Sequence, residues 1–401
     1  GGWFIYEQHC TNRKNEWHTG DHMAEITTIR HQGLGLSWLT PFVAAPTLLL
    51  CVGLALPPER AEAAGSTYTA TEVASLPEGS TRVVRAMNDN SEIVGTVAFD
   101  SGVRGFFLDG AGLQEIAGLP PGSDYSAAFG INGLGQVVGS LNAADGMRGF
   151  RAQRAGVTVV LDTLPGDTSS AAVAINASGK AAGWSSGPAG VRTVTWGPTG
   201  SVQALPMLPD TVSCRGSAIN DNNDVTGTCE TASGPHAVRW AGGTGTAQDL
   251  GTLPGGFESG ALAINDAGDI VGSSGGIEGE HHAALWPAGG AIQDLGVLPN
   301  RVSSQAFAVN DRNAVVGVSS ESGDGGGEHA FLWTAQDGMQ DLNDLLPPDS
   351  DFVLSHAIAI STQGLILAIG HDKITHSADK SHEIHSHPLR IYLLSNPVGG
   401  P

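Results

Sequence analysis

The sequence is poor in positive charge. Lys and Arg number 19 against 40 Asp and Glu in 401 residues, so the formal net charge is -21 at pH 7. A chain this acidic gains no counterion release on a phosphate backbone and is repelled by anionic lipid headgroups. We therefore expect no nucleic-acid partner and no association with an anionic membrane surface.

A composition that favours helices is also missing. Charged residues make up 15% of the chain, which contains 57 Gly and 21 Pro. Because Gly and Pro cost roughly 1 and 3 kcal/mol inside a helix, long helices and coiled coils are disfavoured. The glycines follow no Gly-X-Y triplet, which excludes a collagen-like chain.

The first 63 residues have the pattern of a processing segment. Residues 1–22 precede the first methionine and are interpreted as a non-native upstream segment. Residues 23–63 follow the order of a signal peptide, with a basic start at Arg30, no charge over 33–56 and an Ala-x-Ala site at 61–63. A retained membrane anchor is the alternative, because 24 uncharged residues can span a bilayer, although Pro41 and Pro46 favour cleavage. The expected product is secreted, either extracellular or periplasmic, with no stable membrane insertion.

Cysteine is equally rare, with four in the chain. Removal of the leader leaves Cys214 and Cys229, which flank a predicted hairpin. Two thiols in an exported chain are most simply explained by one disulfide. Two buried free thiols are the alternative.

What the sequence has in abundance is repetition. The dipeptide Leu-Pro begins a unit at steps of 43 to 48 residues, at Leu76, Leu119, Leu164, Leu208, Leu253, Leu298 and Leu346. Within a unit, an Asn precedes a tight turn and a Gly seven residues later is expected to end the second strand. A third strand and a short fourth strand ending in Asp-Leu follow. Four-stranded units with a period near 45 are typical of a β-propeller, or of a β-solenoid.

The two ends of the repeat region favour a closed ring over an open solenoid. A fourth-strand pattern occurs at 67–76, before any complete unit, and the last unit has only three strands. We expect this N-terminal strand to pair with residues 390–394, because that strand would otherwise present an open edge. The predicted fold is an all-β, seven-bladed β-propeller over residues 67–395, closed by its N-terminal strand, with a His-rich insertion at 371–388 in blade seven.

Three strings in the repeat carry a family resemblance. They are Asp249-Leu-Gly-Thr-Leu-Pro254, the hairpin Asn265-Asp-Ala-Gly-Asp-Ile-Val-Gly272 and the strand His329-Ala-Phe-Leu-Trp333. Over about residues 73–370 the chain resembles the HAF-repeat family of extracellular bacterial proteins. Units one to three depart from the pattern by carrying Arg104, Arg148 and Arg192 at the His position. The resemblance implies an exported repeat protein and supplies no catalytic residues.

The candidate binding residues lie on one face of the predicted propeller. That face carries the loops between blades and the turns between second and third strands, and ligands of such folds usually bind there, near the channel. The residues expected on it are Arg82, Asp124, Tyr125, Asp167, Arg215 and Glu258. This mixture of charges with an aromatic ring suits a carbohydrate or protein ligand, and solvated loop side chains are the alternative.

The insertion in the last unit is the one candidate metal site. It contains His376, His382, His385 and His387. Short His-rich tracts bind divalent metals, so an incidental divalent metal is the only cofactor considered. Ordinary loop histidines are the alternative, since the spacing is not that of a HExxH helix. His236, His282 and His329 recur once per unit and are therefore interpreted as structural.

Three classes of function stay open. The chain is expected to be a monomeric binding or interaction module at the cell surface or outside the cell. A structural secreted scaffold and a polysaccharide hydrolase or lyase are the alternatives. An enzyme would need Asp124, Asp167 and Glu258 to converge on the channel as paired carboxylates. The sequence favours the binding module and predicts no catalytic residue.

Overall fold

The computed structural model describes residues 68–75, 84–99, 102–154, 156–243, 245–275, 280–321, 327–373 and 389–396. These residues form 28 β-strands in seven four-stranded antiparallel sheets, with one 3-10 turn at Ala241–Gly243. The sheets are the blades of a seven-bladed β-propeller, which confirms the predicted fold class.

The strands follow the repeat along the chain. β1 (Thr69–Ser75) precedes the first complete blade. Blade 1 contains β2 (Val84–Met87), β3 (Ile93–Phe99), β4 (Gly102–Asp109) and β5 (Gly112–Glu115). Blade 2 contains β6 (Ser126–Ile131), β7 (Gln136–Ala143), β8 (Gly146–Gln153) and β9 (Val159–Val160). Blade 3 contains β10 (Ser169–Ile175), β11 (Ala181–Gly187), β12 (Gly190–Trp196) and β13 (Val202–Ala204).

The same order continues to the C-terminal end. Blade 4 contains β14 (Cys214–Ile219), β15 (Val225–Thr231), β16 (Gly234–Trp240) and β17 (Ala247–Asp249). Blade 5 contains β18 (Ser259–Ile264), β19 (Ile270–Gly275), β20 (His281–Trp286) and β21 (Gln293–Asp294). Blade 6 contains β22 (Ser303–Val309), β23 (Val315–Ser320), β24 (His329–Thr334) and β25 (Gly338–Asp341). Blade 7 contains β26 (Phe352–Ile360), β27 (Ile366–Asp372), β28 (Arg390–Ser395) and β1.

The ring is closed by the N-terminal strand, as predicted. β1 pairs antiparallel with β28, from Thr69 opposite Ser395 to Ser75 opposite Arg390, and becomes the outermost strand of blade 7. The innermost strand of each blade contacts that of the next, and β26 contacts β2. β27 extends to Asp372, so His371 lies in a strand rather than in the predicted insertion.

The closing strand is anchored by Tyr68, the residue directly before β1. Its side chain is 1% exposed and packs in an apolar cluster with Leu342, Leu354 and Tyr392. Its backbone N–H donates to the Leu345 carbonyl at 2.8 Å. Val73, in β1, is only half-buried. The most buried side chain of residues 68–75 is therefore that of Tyr68.

Each innermost strand contains a β-bulge, which corrects the expectation for the recurrent glycine. The extra residue of each bulge is Arg85, Phe129, Val173, Ser217, Leu262, Phe307 or Ile358. In blades 2 to 6 the glycine lies inside the second strand, opposite the bulge. There a Cβ would come within 1.9 to 2.1 Å of a carbonyl oxygen of the bulged strand. The glycine is present because the bulge brings two backbones together.

The recurrent asparagine joins neighbouring blades. The side-chain amide of Asn88 donates to the backbone carbonyl of Asn132 at 2.9 Å, and the next five junctions repeat this bond at 2.9 to 3.2 Å. The seventh junction differs, because Asp89 accepts from the backbone N–H and the hydroxyl of Thr362 at 2.9 and 3.0 Å. We call these seven junctions the asparagine ring. The Asn side chains are buried, so each bond forms away from competing water.

Cys214 and Cys229 form a disulfide at directly opposed positions of β14 and β15. Three other blades have a pair of serines at the equivalent positions. These pairs are Ser170 with Ser185, Ser259 with Ser274, and Ser304 with Ser319. The disulfide thus replaces a serine pair that the same backbone accepts elsewhere in the ring.

This equivalence gives a prediction for the disulfide. The double substitution Cys214→Ser and Cys229→Ser should keep the propeller fold and lower the free energy of unfolding by about 3 kcal/mol, the value for a closed loop of this length. Urea denaturation of both proteins measures the loss. Reduced wild-type protein should match the double variant, whereas an unchanged midpoint would show that the cross-link adds no stability.

Candidate functional site

One face of the propeller carries the interblade loops and the turns between second and third strands, and we call it the top face. Its loops and turns are in close contact. Gly102, Gly146, Gly190 and Gly234 begin third strands with positive φ. A Cβ at these four glycines would lie 2.2 to 3.0 Å from a carbonyl oxygen of the loop that enters the next blade. Each loop therefore lies on the turn of the preceding blade, and the backbone fixes the shape of this face.

Two of the predicted binding residues sit together beside blade 2. Asp124 is exposed and accepts a hydrogen bond from the Asn142 amide at 2.9 Å. Tyr125 is half-buried, and this burial raises the pKa of its hydroxyl while nearby Arg85 lowers it. Asp124 remains accessible to solvent, but its carboxylate has no cationic partner among the described residues.

Asp167 and Glu258 are occupied by partners in their own parts of the ring. The buried Asp167 carboxylate accepts from Ser185 Oγ and from Arg192 Nη2, both at 2.6 Å. Glu258 Oε1 lies 2.9 Å from His281 Nε2. Each of the three carboxylates therefore has a hydrogen-bonding partner of its own among the described residues, Asn142 for Asp124, Ser185 and Arg192 for Asp167, and His281 for Glu258.

The remaining predictions divide between described and undescribed residues. Arg215 is described and is discussed below. Arg82 and the candidate metal ligands His376, His382, His385 and His387 lie outside the described residues. Among the described residues no group of three or more His, Cys, Asp or Glu side chains is arranged to hold a metal ion.

The recurrent His and Arg of the third strand have a structural role. His236, His282 and His329 each place Nδ1 2.5 to 2.9 Å from a fourth-strand aspartate of the same blade. In blade 1, where Arg replaces His, Arg104 Nε lies 3.1 Å from Glu115. In blades 2 and 3 the fourth strand has no acid at this position, and Arg148 and Arg192 pair with Asp145 and Asp167 instead.

The sequence analysis missed a second set of residues, the bulge residues of the innermost strands. Arg85 in β2 lies over the Phe129 ring of β6, with its guanidinium carbon 5.7 Å from the ring centroid. Phe307 in β22 stacks on His356 in β26, with centroids 6.1 Å apart. These contacts join consecutive innermost strands, which surround the channel. The signal that could have identified them is that the bulge position changes from blade to blade while its neighbours stay small.

His356 stands in an unusual environment. Burial lowers the pKa of its imidazole to about 4, and burial also raises the pKa of Glu328, whose Oε2 lies 3.4 Å from His356 Nε2. The His356 Nδ1 lies 3.1 Å from the Ser355 hydroxyl. The imidazole is therefore neutral at pH 7 and presents hydrogen-bonding nitrogens rather than a charge.

Arg215 and Trp184 form a pair across the junction between blades 3 and 4. The Arg215 guanidinium carbon lies 5.0 Å from the centroid of the Trp184 ring, and both side chains are half-buried. Arg215 is five residues before the ring asparagine of its blade. The equivalent positions in blades 5, 6 and 7 hold Gly260, Gln305 and His356. This position therefore holds four different residues in blades 4 to 7.

An open concavity lies elsewhere, beside the outer strands of blade 1 and the loop that leads to blade 2. It has a volume of about 350 Å³ and is lined by Arg104, Glu115, Leu119, Pro120 and Ser123, among others. The charged groups in it, Arg104 and Glu115, pair with each other. We place the candidate site at the channel because there the polar and aromatic side chains are not used to hold a blade together.

Comparison with known proteins supports the fold alone. The sequence matches no known protein family and no curated protein. Among solved structures, a streptogramin B lyase is 13% identical with a TM-score of 0.50, and the match covers 83% of this chain and 99% of that one. The virginiamycin B lyase of Staphylococcus aureus is 12% identical with a TM-score of 0.50, covering 81% and 99%. An oligogalacturonate lyase in complex with manganese is 12% identical with a TM-score of 0.51, covering 82% and 97%.

No helix of the described residues is long and apolar enough to cross a bilayer.

Proposed function

We propose that this protein is an exported binding propeller whose ligand docks at the channel on the top face. The observation that carries the proposal is the Trp184–Arg215 pair, a ring and a cation that meet across two blades at a position where the repeat is otherwise free to vary. Tryptophan and arginine contribute most to binding energy at protein surfaces.

The surrounding face has further features of a docking surface. Val212, Phe257 and Val302 occupy equivalent positions in the loops that enter blades 4, 5 and 6, and they are 75%, 54% and 37% exposed. Exposed apolar side chains in a row favour contact with a ligand or partner. Asp124, Asp167 and Glu258 have separate partners, which favours binding over carboxylate catalysis.

Export is the second part of the proposal. Its support is the signal-peptide pattern at residues 23–63, which lies outside the described residues, and the disulfide, which persists in oxidising compartments. The repeat strings support placing the chain with the HAF-repeat proteins, whose extracellular location agrees with this expectation.

The test compares binding before and after removal of the pair. Wild-type protein is screened against an array of extracellular oligosaccharides and peptides, together with the double variant Trp184→Ala and Arg215→Ala. We expect the variant to lose about ten-fold or more in affinity for the ligands that the wild type binds. The matched control is Leu134→Ala with Arg312→Gln, an apolar residue and an arginine in hairpin turns of the opposite face. Ligands that bind all three proteins equally would contradict the proposed site.

A further inference from the structure

We propose that the ligand of this site contains a sugar unit with a carboxylate, and that Arg215 binds this carboxylate beside Gly260. The inference rests on the proposed function and specifies its ligand.

Arg215 differs from most of the described arginines in having no acidic partner among the described residues. Seven described arginines have a carboxylate oxygen within 4.0 Å, namely Arg104, Arg148, Arg154, Arg192, Arg239, Arg301 and Arg390. Arg215 makes no ion pair and no side-chain hydrogen bond with any described residue, although the chain has twice as many acids as bases. With no carboxylate bound to it among the described residues, this guanidinium is available to an external anion.

The stacking on Trp184 prepares Arg215 for such an anion. A guanidinium that lies over an indole ring is held by its face, while its N–H groups point outward along its edge. That edge matches the two oxygens of a carboxylate, which it binds with two parallel hydrogen bonds. The side chain is half-buried, so the ligand would meet donors that are already oriented.

An open notch lies next to Arg215. Gly260 occupies the position in blade 5 that Arg215 occupies in blade 4 and Gln305 occupies in blade 6. A Cβ on Gly260 would meet only the Thr228 hydroxyl, at an ordinary 3.4 Å, and the residue has no positive φ. Neither packing nor backbone conformation therefore requires a glycine here. Thr228 is the cross-strand partner of Arg215, so the notch and Arg215 adjoin the same threonine.

The groups around the notch are neutral hydrogen-bonding groups, which favours a sugar over an acidic peptide. Thr228 lies on one side, and on the other the Gln305 amide donates to Ser273 Oγ at 3.4 Å. Hydroxyl and carboxamide groups pair with the hydroxyls of a sugar ring. The net charge of -21 disfavours a long polyanion, because repulsion grows with each added carboxylate. A short saccharide with isolated carboxylates avoids this repulsion.

The experiment uses a matched pair of ligands, a tetrasaccharide containing glucuronate and the same tetrasaccharide after its carboxylates are reduced to CH₂OH. Calorimetric titration of wild-type protein should show that reduction weakens binding roughly ten-fold or more. Arg215→Gln should weaken binding of the acidic form equally and leave the reduced form unchanged. Gly260→Leu, which fills the notch, should weaken both forms.

The controls are Arg312→Gln and Gly133→Leu. Arg312 lies in an exposed hairpin turn of the opposite face, and a Cβ on Gly133 would meet nothing within 4 Å. Circular dichroism checks the fold of each variant, and Gly260→Leu still tests the notch if Arg215→Gln does not fold.

Several outcomes would overturn the inference. They are equal binding of the two ligands, no binding of the acidic one, or no effect of either top-face substitution. A neutral sugar or an acidic peptide that binds through Trp184 would overturn this inference and keep the proposed function. An array on which every ligand ignores Trp184 and Arg215 would overturn both.

Discussion

Removal of residues 68–75 is expected to lower the melting temperature by on the order of 10 °C or more and to expose dye-binding apolar surface. These residues comprise Tyr68 and β1, which pairs along β28. Without them, β28 has an unpaired edge and the cluster around Leu342 and Tyr392 loses its most buried aromatic side chain. Loss of a buried aromatic side chain alone costs about 3 to 5 kcal/mol, and each kcal/mol shifts the melting temperature of a large domain by about 2 to 4 °C.

Thermal denaturation with a hydrophobic dye measures this effect, and two substitutions refine it. Tyr68→Ala should reproduce much of the loss, because it leaves a cavity in the same cluster. Tyr68→Phe keeps the ring and should melt close to the wild type. If the deletion melts like the intact protein, β1 does not close the propeller in solution.

Gly272→Ala is expected to destabilise the protein by about 3 kcal/mol or more, the upper range for overpacking a core. Its Cβ would lie 1.9 Å from the carbonyl oxygen of Gly260, a distance that forces the two backbones of blade 5 apart. The matched control is Gly260→Ala on the facing strand, whose Cβ has room, and which should change the free energy of unfolding little.

Urea denaturation of these two variants shows whether the bulge excludes a Cβ at Gly272, or whether alanine destabilises both strands of the blade alike. The two substitutions add the same methyl group to neighbouring strands of one blade. Equal destabilisation by both would mean that the bulge does not impose the glycine. A large loss for Gly272→Ala alone would show that the bulge does.

Much of the fold could be predicted because the sequence repeats it. The Leu-Pro period gave the blade count, and the unpaired strand pattern before the first unit predicted closure, because a sheet edge needs a partner. The burial of Tyr68 could not be found in this way, since it depends on contacts with residues of blades 6 and 7. The recurrent glycine was misplaced because nothing in a linear pattern shows that a strand has gained one residue.

The candidate site was predicted only in part, for a related reason. Arg215 was selected from the sequence, but Trp184, which it contacts, lies in another blade and was not. Asp167 and Glu258 were selected for their charge, although that charge is used by Arg192 and His281. A sequence shows which residues carry charge, whereas the pairing of those charges depends on the contacts that form when the strands of a blade come together.

The asparagine ring has a consequence for how the units of this chain can diverge. At six junctions a side-chain amide donates to a backbone carbonyl of the following blade, and a backbone carbonyl is present whatever residue stands there. Neighbouring units therefore need no matched side chains at this contact. A unit can therefore change the residue at the accepting position and still keep this bond to the preceding blade.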